Sequence, residues 1–346
     1  MRKLVKATAA LLLGSSFSLS ASGPTGRDGE FPAPSTISPE ARAALARFRL
    51  ATRNMAQPKP EDTAGWRKVQ ADVEARYAEA NAAVVRQYQP RIEERTLGGV
   101  PVLDIRPKGW KGDRRMLVYT HGGAYAMYSA RSRLISAVPM ANDTGLRVIA
   151  VDYTLAPHAR WQRVTDQVVA VVRALQAEGL ALKELAIYGE SAGGGLAAGA
   201  VLKLRDQGLG MPAAVVLWSP WSDITDTGDT YATLRDADPL LYYPANLARC
   251  AAAYADAADQ KHPYVSPVYG DYSKGFPPTL IQAGTREIFL SNAVRHYQAL
   301  DAAGVPVKLD LYEGMWHIFQ VFTHDIPEAQ LARRKVRAFL ERHLGE

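Results

Sequence analysis

Tyr188-Gly189-Glu190-Ser191-Ala192-Gly193-Gly194-Gly195 decides how this chain is read. It follows the apolar run Leu185-Ala186-Ile187 and precedes an alanine-rich helical pattern over 196–205. A strand that turns sharply into a helix at a serine brings two backbones together, so the positions two before and two after the serine must be small. Gly189 and Gly193 meet that need. The turn would lift the Ser191 hydroxyl to the top of a sheet, with the positive end of the following helix behind it. Gly-x-Ser-x-Gly is a weak signal by itself. It gains weight here from the strand before it, the helix after it and matching parts elsewhere in the chain.

Working outward, 92–97 and 100–105 around Gly98-Gly99 read as a hairpin. Met116-Leu117-Val118-Tyr119-Thr120 and Val148-Ile149-Ala150-Val151 are apolar runs of the kind buried on both faces of a parallel sheet. Segments 185–188, 215–218, 279–282 and 307–311 continue the series, with helical patterns between them, one over 161–178, and a closing helix over 329–343. This alternation predicts a doubly wound α/β fold with a mostly parallel sheet. Upstream, helical spacing predicts helices over about 39–55 and 66–88. Ser38 can cap the first, with Pro39 at its first position, but Ala41 stands where a capping box has Glu or Gln. Between Trp218 and Phe276 the alternation stops for about sixty residues, too long for an ordinary connection. This insertion, at about 220–275, holds a short helical pattern over 246–258 and is expected to form a lid with the N-terminal helices; packing of those helices on the outer face of the sheet is the alternative.

The chain is 47% hydrophobic and 22% charged over 346 residues, enough for one large globular α/β domain with insertions. Of the formal net charge of +6, three charges lie at Arg2, Lys3 and Lys6. The remainder carries no basic cluster interleaved with aromatics, so nucleic acid is not an expected partner. Residues 1–23 have a basic start, an apolar stretch through Ala7-Thr8-Ala9-Ala10-Leu11-Leu12-Leu13 and then small residues, which is the layout of a secretory signal peptide. The apolar part is too short for a stable membrane anchor. Export to a periplasm or to the exterior is therefore expected, with 24–90 as linker and cap helices and 91–346 as the main domain. Cys250 is the single cysteine, which excludes an intramolecular disulfide.

Attack by a serine on a carbonyl needs a base for its proton, an acid to orient that base, and amides for the oxygen that becomes negative. Where such a turn sits in a doubly wound sheet, the three side chains follow in chain order Ser, Asp or Glu, His. Downstream of Ser191 are His262, His296, His317, His324 and His343. His317 lies in a loop between the last predicted strand and the last helix, which makes it the expected base. Glu287 follows the 279–282 strand, at the carboxyl end where these sheets place their sites, and is the expected acid; Asp310, inside a strand, is less well placed. The amides are expected from Gly122, Gly123 and Ala124, after the 116–120 strand, and from Ala192. His121 is expected to fix the loop by a hydrogen bond rather than to react.

Five motifs taken together resemble the bacterial hormone-sensitive-lipase-like branch of the α/β-hydrolases (family IV carboxylesterases): His121-Gly122-Gly123-Ala124, Asp152-Tyr153-Thr154-Leu155-Ala156-Pro157, Gly189-Glu190-Ser191-Ala192-Gly193-Gly194, Ser219-Pro220-Trp221-Ser222-Asp223 and Gly314-Met315-Trp316-His317. The resemblance runs from about residue 39 to the end. It implies Ser191, Glu287 and His317 as a triad, a helical cap, hydrolysis of carboxylic esters with small to medium acyl groups, and no metal or organic cofactor. It leaves a homodimer open, since such relatives often pair through an edge strand. Ala124 departs from the usual third glycine, Arg286 and Ser291 from positions often acidic, and His158 from a usual glutamate. A non-catalytic small-molecule receptor on the same fold, or an amidase or lipase variant of the same chemistry, are the alternatives. Trp218, Trp221, Tyr125 and Tyr128 are candidates either to line the substrate pocket or to pack in the core.

Overall fold

The computed structural model describes residues 31–48 and 55–345. The expected signal peptide, 1–23, and the part of the first helix at 49–54 lie outside the described residues. The chain begins with α1 (Pro39–Leu45) and α2 (Thr63–Tyr88) and continues into the hairpin β1 (Arg91–Leu97) and β2 (Val100–Arg106). Gly98 and Gly99 both take positive φ, 57° and 79°, as a tight two-residue hairpin turn requires. Then follow β3 (Met116–Thr120), α3 (Leu134–Thr144), β4 (Arg147–Val151), α4 (Trp161–Ala177), β5 (Leu185–Glu190), α5 (Ala192–Asp206) and β6 (Ala214–Trp218). Beyond the insertion, which carries α6 (Ala248–Tyr254), come β7 (Thr279–Gly284), α7 (Leu290–Ala302), β8 (Val307–Tyr312) and α8 (Pro327–His343).

The eight strands form one sheet in the order β1-β2-β4-β3-β5-β6-β7-β8. β1, β2 and β4 pair antiparallel, and every pairing from β4 to β8 is parallel. β3, β5 and β6 are buried at every position, as their unbroken apolar runs require of strands covered on both faces. Side chains alternate along them. Val118, Ile187, Val215 and Leu217 enter the core on one face, and Leu117, Tyr119, Ala186, Tyr188 and Val216 the core on the other.

The helix of the insertion covers only Ala248–Tyr254 of the expected 246–258, and the closing helix starts at Pro327, two residues early. Two further boundaries differ for identifiable reasons. α2 begins at Thr63, three residues ahead of the first periodic position, because the Asp62 carboxylate caps it by accepting the Gly65 amide at 2.8 Å. α1 ends at Leu45, where Arg47 and Phe48 bond back to Ala44 and Leu45 in a tightened turn and Phe48 packs edge-on against Trp316. The Ser38 hydroxyl caps α1 through the Ala41 amide at 3.1 Å. The acidic half of the capping box, missing from the local sequence, is supplied by Glu328 of α8, which accepts the Ser38 amide at 2.7 Å and its hydroxyl at 2.9 Å. Among the described residues no helix is long and apolar enough to cross a membrane.

Asp104 of β2 fixes the antiparallel end of the sheet. It is fully buried and meets Arg147 of β4 at 2.6 Å, Arg106 at 2.8 Å and Arg95 of β1 at 3.5 Å. Burial would raise its carboxyl, but hydrogen bonds and charge from Arg147 and Arg106 outweigh that and hold it below its ordinary value of 3.8. A depressed carboxylate adds stability above its unfolded pKa and loses it as pH falls through the folded value. Asp104→Asn is expected to cost about 3 kcal/mol of unfolding free energy at pH 7. In denaturant titrations across pH, the gap between wild type and variant should close as pH falls below about 4.

Candidate active site

Ser191 joins β5 to α5 with φ 56° and ψ −126°, a conformation that costs a residue with a Cβ on the order of 1–3 kcal/mol. Its surroundings over-determine that geometry. The Ser191 amide donates to the Trp218 carbonyl at 2.9 Å, and its carbonyl accepts the Trp221 amide at 2.8 Å. Glycine is demanded on both sides: a Cβ on Gly189 would lie 2.3 Å from the Gly193 carbonyl oxygen, and one on Gly193 would lie 2.0 Å from that of Thr120. The Thr120 hydroxyl donates to the Gly193 carbonyl at 2.8 Å, tying the end of β3 to the first turn of α5.

Glu287 is fully buried in the turn after β7, and His317 in the loop after β8. Glu287 Oε2 lies 2.8 Å from His317 Nδ1. Oε1 accepts the Gly284 amide at 2.7 Å and the Ser219 hydroxyl at 2.9 Å. A carboxylate oxygen can only accept, so Nδ1 carries the imidazole proton and Nε2 is left able to take one. The ring edge of Phe289 meets the imidazole at a centroid distance of 5.1 Å and an angle of 88°, which limits its rotation. Ser191 and His317 open onto the same cavity, of about 180 Å³. The other histidines lie elsewhere. His296 is buried between the Ser222 hydroxyl and the Tyr272 hydroxyl, both at 2.7 Å, and burial lowers it to about 3. His262 packs against Trp161, His343 against Phe339, and His324 lines a separate surface pocket. Asp310 is engaged by Lys335, Gln282 and Tyr312.

The loop after β3 holds the expected donors. Gly122 stands apart from the other three: its amide donates to Glu190 Oε1 at 3.1 Å and is therefore committed within the protein. The amides of Gly123, Ala124 and Ala192 take no acceptor among the described residues. Ala124 adopts φ 52°, the left-handed conformation a glycine would take without strain, and Tyr125 and Tyr128 follow at 61° and 70°. His121 Nδ1 bonds the Gly122 carbonyl at 2.8 Å, its ring stacks on Tyr153 at 4.1 Å, and burial lowers it to about 3, so it stays neutral as a loop support.

Two carboxylates of the site had no recognised role in the sequence. Glu190 Oε1 collects the Gly122 amide, the Tyr119 hydroxyl at 2.6 Å, and Arg133 through Nε at 3.1 Å and Nη2 at 2.9 Å. Both charges are completely buried, and Arg133 lies over the rings of Tyr128 and Phe322. Asp238, in the insertion, accepts the Leu240, Leu241 and Ile288 amides at 2.8, 2.9 and 2.8 Å. Burial lifts its carboxyl to about 6, opposed by the positive charge His317 can carry. The distant partners have no local signal: Arg133 is 57 residues from Glu190, and Ile288 is 50 from Asp238.

The cavity is bounded by Gly123, Ala124, Met127 and Tyr128 of the β3 loop, Tyr77 of α2, Leu240, Leu241 and Leu247 of the insertion, and Ile318 and Phe322 beyond His317. Tyr128 thus faces the cavity, whereas Tyr125, Trp218 and Trp221 are buried core residues. The N-terminal segment and the insertion meet beside it: the Gln57 amide donates to the Ala245 carbonyl at 3.0 Å, and Asn246 donates to the Met55 carbonyl at 3.0 Å.

Comparison with known proteins agrees with this geometry. Residues 117–321 match the model of a family described as having the alpha/beta hydrolase fold. An acetyl-hydrolase of Streptomyces hygroscopicus is 34% identical over 284 residues, covering 81% of this chain and 94% of the relative. The crystal structure of an esterase called E25 superposes with a TM-score of 0.84 at 30% identity, covering 91% of this chain and 97% of that one. A crystal structure described as an esterase from the bacterial hormone-sensitive lipase family gives a TM-score of 0.72 at 29% identity, covering 81% of this chain and 98% of that one. With the fold, the strained serine turn and these relatives in agreement, the chain belongs to the α/β-hydrolases, in the branch of the bacterial hormone-sensitive-lipase-like esterases.

Proposed function

We propose that this carboxylesterase cleaves esters of small to medium acyl groups through an acyl-enzyme, with Ser191 as nucleophile, His317 as base and then acid, and Glu287 orienting His317. The observation that carries this reading is a strained serine sharing one cavity with an imidazole whose far nitrogen is held by a buried carboxylate at 2.8 Å. Ser191 Oγ attacks the ester carbonyl as its proton passes to His317 Nε2, and Glu287 stabilises the imidazolium. The carbonyl oxygen becomes an oxyanion held by the Gly123, Ala124 and Ala192 amides. The alcohol leaves with the proton from His317; water then repeats the sequence on the acyl-enzyme.

The cap in this reading is the insertion together with the N-terminal segment, and its leucines give the small cavity an apolar wall. That fits short acyl chains better than long ones. The acetyl-hydrolase name of one relative points the same way. Residues 1–23 are read as an export signal, which places the mature enzyme outside the inner membrane.

Ser191→Ala and His317→Ala should abolish hydrolysis of p-nitrophenyl butyrate with unchanged circular dichroism, and Glu287→Gln should lower kcat by about 10⁴-fold. A fluorophosphonate probe should label wild type and not Ser191→Ala; labelling of neither would favour a binding role without turnover. Across p-nitrophenyl esters from acetate to palmitate, kcat/KM should fall steeply at the long end. N-terminal sequencing of exported protein should begin near residue 24, and retention of residues 1–23 would remove the export reading.

A further inference from the structure

Ser219 follows β6 directly, is completely buried, and sits at φ 44° in the left-handed region that a side chain disfavours. Its amide donates to the Gln282 carbonyl of β7 at 2.7 Å. Its hydroxyl accepts the Ile318 amide at 3.0 Å and lies 2.9 Å from Glu287 Oε1. Ile318 is the residue after His317 and is itself at φ 44°, an outlier for a β-branched residue. Two strained backbones therefore meet at one hydroxyl. The direction of the bonds is forced: an amide can only donate, so the hydroxyl oxygen accepts from Ile318, and an ionised carboxylate can only accept, so the hydroxyl proton goes to Glu287. Each bond in such a run polarises the next.

We propose that Ser219 is a positioning residue for ester hydrolysis, its single hydroxyl locking the Glu287 carboxylate and the backbone beside His317 into one rigid unit. The proposal rests on the reading of Ser191, Glu287 and His317 given above. Ser219 and the Gly284 amide together hold Glu287 Oε1, and this aims Oε2 at His317 Nδ1. Removing the hydroxyl leaves Oε1 with one donor and takes from the buried Ile318 amide its acceptor. The loops carrying acid and base would then settle independently. The left-handed backbone follows from the same demand, because it turns the side chain back between the β7 and β8 loops.

The test compares Ser219→Ala and Ser219→Gly with wild type and Ser191→Ala on p-nitrophenyl butyrate. Both Ser219 variants should lower kcat by about 10-fold to 100-fold, the loss of one hydrogen bond to a charged group, with KM within about twofold. The far-downfield proton resonance of His317 Nδ1 should weaken or shift in both. Glycine accepts φ 44° without strain, so Ser219→Gly keeps the test decisive if alanine prevents folding. A Ser219→Gly enzyme with wild-type kcat and an unchanged resonance, beside an inactive Ser191→Ala, overturns this proposal alone. Turnover retained by Ser191→Ala brings down the underlying reading and this proposal together.

Discussion

A serine backbone held at φ 56° and ψ −126° is the constraint on which the rest of the structure depends. No local preference of the chain favours it; the conformation persists because tertiary contacts on every side leave nothing else. β3 and β6 flank β5 in the parallel sheet, and each sends a loop over the turn. The first is braced through Thr120 and Gly193 and the second through Trp218 and Trp221. Where a methyl group at position 193 would stand 2.0 Å from the Thr120 carbonyl oxygen, backbone packing alone fixes the sequence.

The loops around this turn are joined to one another as well as to the sheet. A series of buried rings runs from Tyr254 of α6 to Tyr125 at 3.7 Å, on to Trp221 at 5.8 Å and Phe289 at 5.6 Å, and ends edge-on at His317 at 5.1 Å. Asp238 binds the cavity wall at Leu240 and Leu241 to the backbone next to Glu287. The insertion is thus joined to the imidazole by a continuous series of packed rings and hydrogen bonds. The buried Glu190 and Arg133 pair braces the β3 loop through the Gly122 amide. Such a pair is costly to desolvate, and its retention is understandable where it fixes one loop conformation.

The elements with strong periodicity were legible. Every expected strand is present, because a strand buried on both faces leaves an unbroken apolar run that admits few other readings. Helix ends were less so: α2 starts at a cap that precedes its apolar pattern, and α1 stops where Phe48 turns to Trp316. At the site, the positions of Ser191, Glu287 and His317 after β5, β7 and β8 were legible from the strand pattern. The commitment of the Gly122 amide to Glu190 was not, since it depends on a side chain 68 residues away. Ser219-Pro220-Trp221 stood out as a motif, but its function as a bracket between two loops needs the loops in place.

The sequence by itself determined the alternation of strand and helix, the glycines that permit a serine at a sharp turn, and the places of Ser191, Glu287 and His317 after successive strands. Those features are set by local sterics and by hydrophobic period, which act over a few residues. Only the tertiary structure decided which amides are taken up within the protein, which carboxylates hold loops together, and how large the cavity is. Each of those depends on groups brought together from distant parts of the chain. The capping of α1 shows the division in small: Ser38 and Pro39 announce the helix start, but the carboxylate that completes the cap comes from Glu328, on the last helix.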